Sequence, residues 1–376
     1  MHAPHDLSLD ELARHIGGPC VSILVPIDRR HADDQRDHVQ LKDLVASARS
    51  QLESAEASRI DDLLDGPEAV LRRPIIANQP GGLALFCAPG LYIELPTDWT
   101  VGPAAVVASC FAVASLLPPS RPAPCHVLVV GGKRVSLHRV DGSTWTPCAV
   151  ADLPASIEDA LGYERLERMS GAHAGGPAHA GSLSIIGHGR GAQDEDRKQR
   201  LTRYFHQVDA AVVAHLHLDP DAPLVAAGTG PAVSRYQSVT RHRHVVPAVV
   251  GSPDELSPPE LRRQVEAVIQ LAHSTSEDDL LARVGELLGT GRASIDLAEL
   301  VHTAPTGQVA ELLVGSTTPR WGRVGDHVEF VDQWAVDADD LLDRVICEAW
   351  RAGATVRAIG PGRLPNDAVL AALYRY

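Results

Sequence analysis

The sequence lacks any long apolar run. No stretch approaches the ~18 uninterrupted apolar residues of a membrane-spanning helix. The longest candidate, Val101 to Leu117, contains Pro103 and runs into Pro118 and Pro119. The opening residues, Met1 to Asp10, carry acids and no basic, apolar leader pattern, so no export signal is expected. Cysteine is scarce, with six in 376 residues, at 20, 87, 110, 125, 148 and 347, and no two have CxxC spacing. Neither a zinc ribbon nor a disulfide scaffold is indicated, and isolated cysteines behave as small buried hydrophobes. A reduced, cytoplasmic protein is the expectation. Positive charge is also in deficit: 34 basic residues stand against 48 acidic ones, a net charge of −14. Non-specific coating of duplex nucleic acid is disfavoured, because such affinity comes from neutralising phosphates. A local basic face remains open. Only Lys42, Lys133 and Lys198 are lysines, so nearly all positive charge is arginine.

What is present divides the chain. Leu116–Pro124 reads LLPPSRPAP, four prolines in nine residues, which suits neither helix nor central strand. A second break is Gly289–Ser294, GTGRAS. These cuts give 1–120, 121–289 and 290–376, with net charges of −7, −3 and −4. The length agrees with two or three domains.

The first region opens with a strand at Val21–Ile27, a polar turn, and a helix from about Gln35 to Glu53 with apolar residues at the helical period. Leu83–Cys87 and Leu91–Leu95 flank Ala88-Pro89-Gly90, a hairpin signal. The middle region begins with three short strands, His126–Val130, Arg134–Val140 and one near Thr144–Ala149. Ser170–Arg190 is then rich in glycine, alanine and histidine, and long loops of this kind are often functional. A helix is expected from Asp194 to about His215, with Leu201, Phe205, Val208 and Val212 on one face. Next come a strand (Pro223–Ala227), a helix (Pro231–Thr240), a strand (His244–Val250) and a helix (Pro258–Leu288). Meander, helix, strand, helix, strand, helix is the order of a ribonuclease H-like α/β sheet. The last region reads as a small αβα sandwich with an insert around Trp321. The expected fold class is therefore α/β in three domains.

Histidines offer one candidate chemistry. His173, His179 and His188 lie in the loop, His215 and His217 beyond the helix, and His242 and His244 flank Arg243. None forms HExxH and no cysteine is near, so no metal centre is expected. A basic stretch offers a second. From His188 to His244 the charge is +2 without histidine, inside a chain of −14. Arg190, Arg197, Lys198, Arg200, Arg203, Arg241 and Arg243 are its candidate RNA contacts, since the planar arginine fork suits phosphate. Asp28, Arg29 and Arg30 form a charged turn after the first strand, and Asp33, Asp34 and Asp37 read as helix N-terminal acids. The glycines at 187, 189 and 191 lack the spacing and lysine of a phosphate loop. No GxSxG pattern appears.

Four stretches together resemble a known family. They are PIDRRHADDQRDHVQLKDLVASARSQL (26–52), GHGRGAQDEDRKQRLTRYFHQVDAAV (187–212), PLVAAGTGPAVSRYQSVTRHRHVV (223–246) and DDLLDRVICEAWRAGATVRAIGPGRLP (339–365). The chain resembles bacterial archaeo-eukaryotic release factor family 3, within the release factor and Pelota superfamily. The resemblance implies a ribonuclease H-like middle domain and a C-terminal αβα domain similar to kink-turn-binding ribosomal proteins. It implies the ribosome, rRNA and tRNA as partners, with a translation GTPase as a candidate delivery partner and with no membrane and no cofactor. In release factors a Gly-Gly-Gln motif at a loop end positions the water that hydrolyses peptidyl-tRNA. The matching place here is Gly191-Ala192-Gln193, which makes Gln193 the water-orienting residue. Ala192 replaces the second glycine, and only glycine takes φ > 0 without penalty. Two versions stay open: a peptidyl-tRNA hydrolase, or a factor that occupies the ribosome in rescue or hibernation without chemistry. The alternative is a small-molecule or metal-dependent enzyme built on the His-rich loop.

Overall fold

The computed structural model describes residues 4–27, 34–73, 81–131, 133–156 and 190–376, without the side chains of 4–8, 34–35 and 190–198. The chain is mixed α/β with four sheets among the described residues. It forms two compact units, one of residues 1–120 with 277–376 and one of residues 121–276.

The first unit holds two larger sheets. One has the order β3-β2-β1-β4, all antiparallel, built from β1 (Cys20–Pro26), β2 (Gly82–Ala88), β3 (Leu91–Thr97) and β4 (Ala104–Ala108). Strand side chains alternate between faces, and β1 is apolar on both. Val21, Ile23 and Val25 pack on Leu41, Val45 and Leu52 of helix α2 (Asp34–Ser54) and on Leu63 and Leu64 of helix α3 (Ile60–Leu71). Cys20 and Leu24 face the opposite core, with Leu12 of helix α1 (Pro4–Arg14). The expected hairpin turns at Gly90, whose φ of 79° is open to glycine at no steric cost. Helices α1 and α3 and strand β4 lie where no element was expected. Helix α3 contains Gly66 and Pro67, both poor helix formers.

The second sheet of this unit has the order β10-β16-β11-β15. Its strands are β10 (Ala293–Ser294), β11 (Val309–Val314), β15 (Thr355–Ala358) and β16 (Leu370–Tyr374), with β11 and β15 parallel. Leu312 and Ala372 of this sheet, with Leu342, Val345 and Ile346, fall in the same core as Cys20, Leu24 and Phe86. Residues 1–120 and the C-terminal region thus share one apolar core, which is why they form one unit. A small sheet in the order β13-β12-β14, from β12 (Trp321–Val324), β13 (Val328–Phe330) and β14 (Asp339–Asp340), follows β11 in the chain.

The second unit has a single sheet in the order β7-β6-β5-β8-β9. Strands β5 (Cys125–Val130), β6 (Val135–Asp141) and β7 (Thr144–Pro147) form the expected antiparallel meander. Strands β8 (Leu224–Gly228) and β9 (Val245–Val249) run parallel to β5. Helices α4 (Arg190–His215) and α5 (Gly230–Val239) cover one face through Tyr204, Phe205, Val208, Val212, Val233 and Tyr236. The other face is covered by Leu261 and Val265 of helix α6 (Pro258–Leu287). The last turns of α6, through Leu280, Leu281 and Val284, belong to the other unit.

Candidate functional site

Helix α4 carries the sequence-predicted site, and its position follows from the chain path. A short turn, 216–223, joins its C-terminus to the start of β8, so α4 runs antiparallel to the three parallel strands. Its packed part, from Tyr204 to His215, is about 18 Å long at 1.5 Å per residue. That matches the roughly 17 Å of a five-residue strand. Residues 190–203 add about 21 Å of helix beyond this. The leading end of α4 therefore lies toward the carboxyl edge of the parallel strands and its trailing end toward their amino edge.

The helix begins at Arg190, four residues before the expected start. Gly191, Ala192 and Gln193 are its first turn, and they do not precede it as loop. Asp194, Glu195 and Asp196 lie four to six residues inside the helix, past the first turn where its dipole favours acids, so they do not mark its start. A helical backbone at residue 192 is one that alanine takes freely. The side chains of Arg190, Gln193, Arg197 and Lys198 lie outside the described residues, as do the loop 170–189 with His173, His179 and His188, and the turn at Asp28, Arg29 and Arg30.

The candidate RNA contacts do not form one surface. Arg200 and Arg203 are exposed on the leading half of α4. Arg235 of α5 joins them, its Nη1 donating to Thr202 Oγ1 at 3.2 Å. Arg241 and Arg243 precede β9 and so lie at the opposite edge, where the Leu224 N–H donates to the carbonyl of His244. Arg241 is engaged there. Its Nε donates to Asp209 Oδ2 at 3.0 Å, its backbone N–H to both Asp209 oxygens at 3.3 Å, and Thr240 Oγ1 to Oδ1 at 2.7 Å. Asp209 is 1% exposed. A buried carboxylate needs such partners, so Arg241 is a structural residue at least as much as a contact. Along α4, Arg200 and Asp209 are separated by about 14 Å.

The described histidines are likewise dispersed. His215 and His217 border a cleft of about 660 Å³ with Gln207 and Asp152. His242 is buried and bonded through Nε2 to the Ala222 carbonyl at 2.7 Å. His244 Nε2 is 3.9 Å from Asp221. Burial and the nearby Arg139 push His126 below its ordinary pKa, and burial with Arg262 does the same to His138. Among the described residues no group of these side chains has the arrangement of a metal site.

Residues 124–308 match the model of bacterial archaeo-eukaryotic release factor family 3. The matched span is just under half of the chain. It contains the whole sheet of the second unit, both helices on its one face and all of α6. No curated protein matches the chain. Among solved structures the chain is similar to the archaeal translation termination factor aRF1, with 13% identity, 99% of this chain and 97% of that one covered, and a TM-score of 0.24. Pelota from Archaeoglobus fulgidus is 14% identical over 78% of this chain and 79% of that one, with a TM-score of 0.29. A model of ribosome-bound archaeal Pelota and ABCE1 is 11% identical over 99% and 94%, with a TM-score of 0.41. At these scores no argument rests on the structural likeness. No helix among the described residues is long and apolar enough to cross a membrane.

Proposed function

We propose that the protein is a ribosome-associated translation factor of the release factor and Pelota class, acting in rescue or hibernation. The observation that carries this reading is the family match over residues 124–308, on a unit whose long helix leaves the core at its leading end. The sheet order supports a ribonuclease H-like middle domain, with three antiparallel strands followed by two that run parallel to the first. The proposed division stays at 1–120, 121–289 and 290–376, the last a domain of the kink-turn-binding type. The ribosome, rRNA and tRNA are the proposed partners, with a translation GTPase for delivery.

On this reading the leading end of α4 enters the large subunit, and Arg190, Arg197, Lys198, Arg200 and Arg203 meet rRNA phosphates. Gly191, Ala192 and Gln193 then reach the peptidyl-transferase centre. Hydrolysis there would draw on positioning and on stabilisation of developing charge, with no side-chain nucleophile. The helical first turn and the alanine at 192 favour the occupying version over the hydrolytic one. The test is release of labelled peptide from stalled ribosome complexes. Valine at 192 costs a helix only about 0.5 kcal/mol, so Ala192→Val leaves the free protein folded. Equal release with wild type, Ala192→Val and buffer, together with pelleting of wild type with ribosomes, supports occupation. Release by wild type that Ala192→Val abolishes supports hydrolysis. Failure to pellet with ribosomes overturns both.

A further inference from the structure

Helix α8 (Leu341–Arg351), the next after helix α7 (Leu297–Thr303), opens with two buried acids, and no ion pair reaches either among the described residues. Asp340 is its N-cap and Asp343 lies in its first turn, with exposures of 0% and 2%. Their neighbour Asp339 takes Arg344 at 3.4 Å. No ion pair reaches Asp340 or Asp343 among the described residues.

The hydrogen bonds are unequal. Asp340 Oδ1 accepts the N–H of Arg320 at 3.0 Å and of Leu342 at 3.1 Å, while its buried Oδ2 has no partner. Asp343 Oδ1 accepts the N–H of Ala114 at 2.7 Å. Ala114 lies in the turn after β4, so this bond ties residues 1–120 to the C-terminal part of the same unit. Two thiols also face the pair, Cys347 one turn along α8 and Cys110 in the segment after β4. The bond to Cys347 and burial hold Cys110 well above its ordinary pKa, so it brings no charge.

Two carboxylates in such a site cannot both be ionised without water or a cation. Asp340 accepts more N–H groups and sits at a helix N-terminus, where the dipole favours a negative charge. The charge belongs on Asp340 and the proton on Asp343. We propose that Asp343 keeps its proton in the folded protein and donates it to Oδ2 of Asp340, so that one proton joins the start of α8 to the turn at Ala114. Burial first, and then the charge of Asp340, drive Asp343 well above the ordinary carboxylate range. Burial also raises Asp340, against the opposing N–H bonds. The sign of the pH effect follows. A carboxyl with a raised folded-state pKa contributes stability that is complete below its unfolded value and is lost as pH rises through the folded value. The contribution of Asp343 is therefore complete in acid and declines as pH rises.

Asp343→Asn is the discriminating variant. Its Oδ1 can keep the Ala114 bond and its Nδ2–H can replace the shared proton. Asp343→Leu removes both bonds at similar volume. The measurements are thermal melting of the full chain between about pH 4 and about pH 9, and the infrared carbonyl stretch of protonated carboxyl in aspartate-labelled protein. Wild type should show a protonated carboxyl at neutral pH that the Asn variant lacks. The Asn variant should melt with wild type near pH 4 and increasingly above it as pH rises to about 9, and the Leu variant should melt below wild type near pH 4. A wild type without the protonated band, or an Asn variant as unstable as the Leu variant, overturns the proposal.

Discussion

The arginines at the two edges of the middle sheet do different work. At the amino edge Arg241 spends its charge on Asp209, which is buried beneath it. On the leading half of α4, Arg200 and Arg203 are exposed. The sequence counts these residues as one basic stretch. The fold places Arg241 beside a buried acid, which needs a nearby cation, and places Arg200 and Arg203 toward the opposite edge.

The comparison breaks most readily at Arg241. Arg241→Ala should cost about 2–3 kcal/mol in urea denaturation, since it leaves a buried carboxylate short of its cation. The protein that remains folded should pellet with ribosomes as wild type does. A stable variant with lost pelleting would move the binding surface to the amino edge. Charge reversal at the other end, Arg200→Glu with Arg203→Glu, should weaken ribosome association about tenfold or more, equivalent to roughly 1.4 kcal/mol. Its melting temperature should scarcely move, because exposed charges contribute little to stability. A smaller effect tests the support of Asp209: Thr240→Val removes the hydroxyl's bond to Asp209 and the one it accepts from the His242 N–H, and should cost about 1–2 kcal/mol, measured by the same denaturation. The smallest is Arg243→Glu, expected within about 0.5 kcal/mol of wild type in stability and unchanged in pelleting. A strong pelleting defect there would erase the distinction between the edges.

Much of the middle fold was legible because its signals are local. The meander, the apolar face at Phe205, Val208 and Val212, and strands β8 and β9 follow from period and turn chemistry. The division of the basic stretch was not legible, because it depends on strand direction. Arg235 and Arg241 lie six residues apart in sequence, yet one sits beside Thr202 and the other beside Asp209. Asp209 itself reads as a surface acid on a helix, and only the packing of α5 against α4 buries it. Asp340 and Asp343 read similarly as helix-opening acids in DADDLLD, which Asp340 is. Their burial arises from the shared core of residues 1–120 and the C-terminal region, a long-range pairing that no local pattern carries. Helix α3 was hidden by its Gly66-Pro67, where the glycine allows close approach of the Tyr92 ring.

The central claim is that the leading end of α4, and not the amino edge of the sheet, enters the ribosome. A photo-crosslinking residue placed at 193, and in a second protein at 243, tests it in assembled ribosome complexes. Crosslinks from 193 should map to large-subunit rRNA at the peptidyl-transferase centre, with none there from 243. Crosslinks to that centre from 243 alone, or from neither position in complexes that do form, would contradict the account.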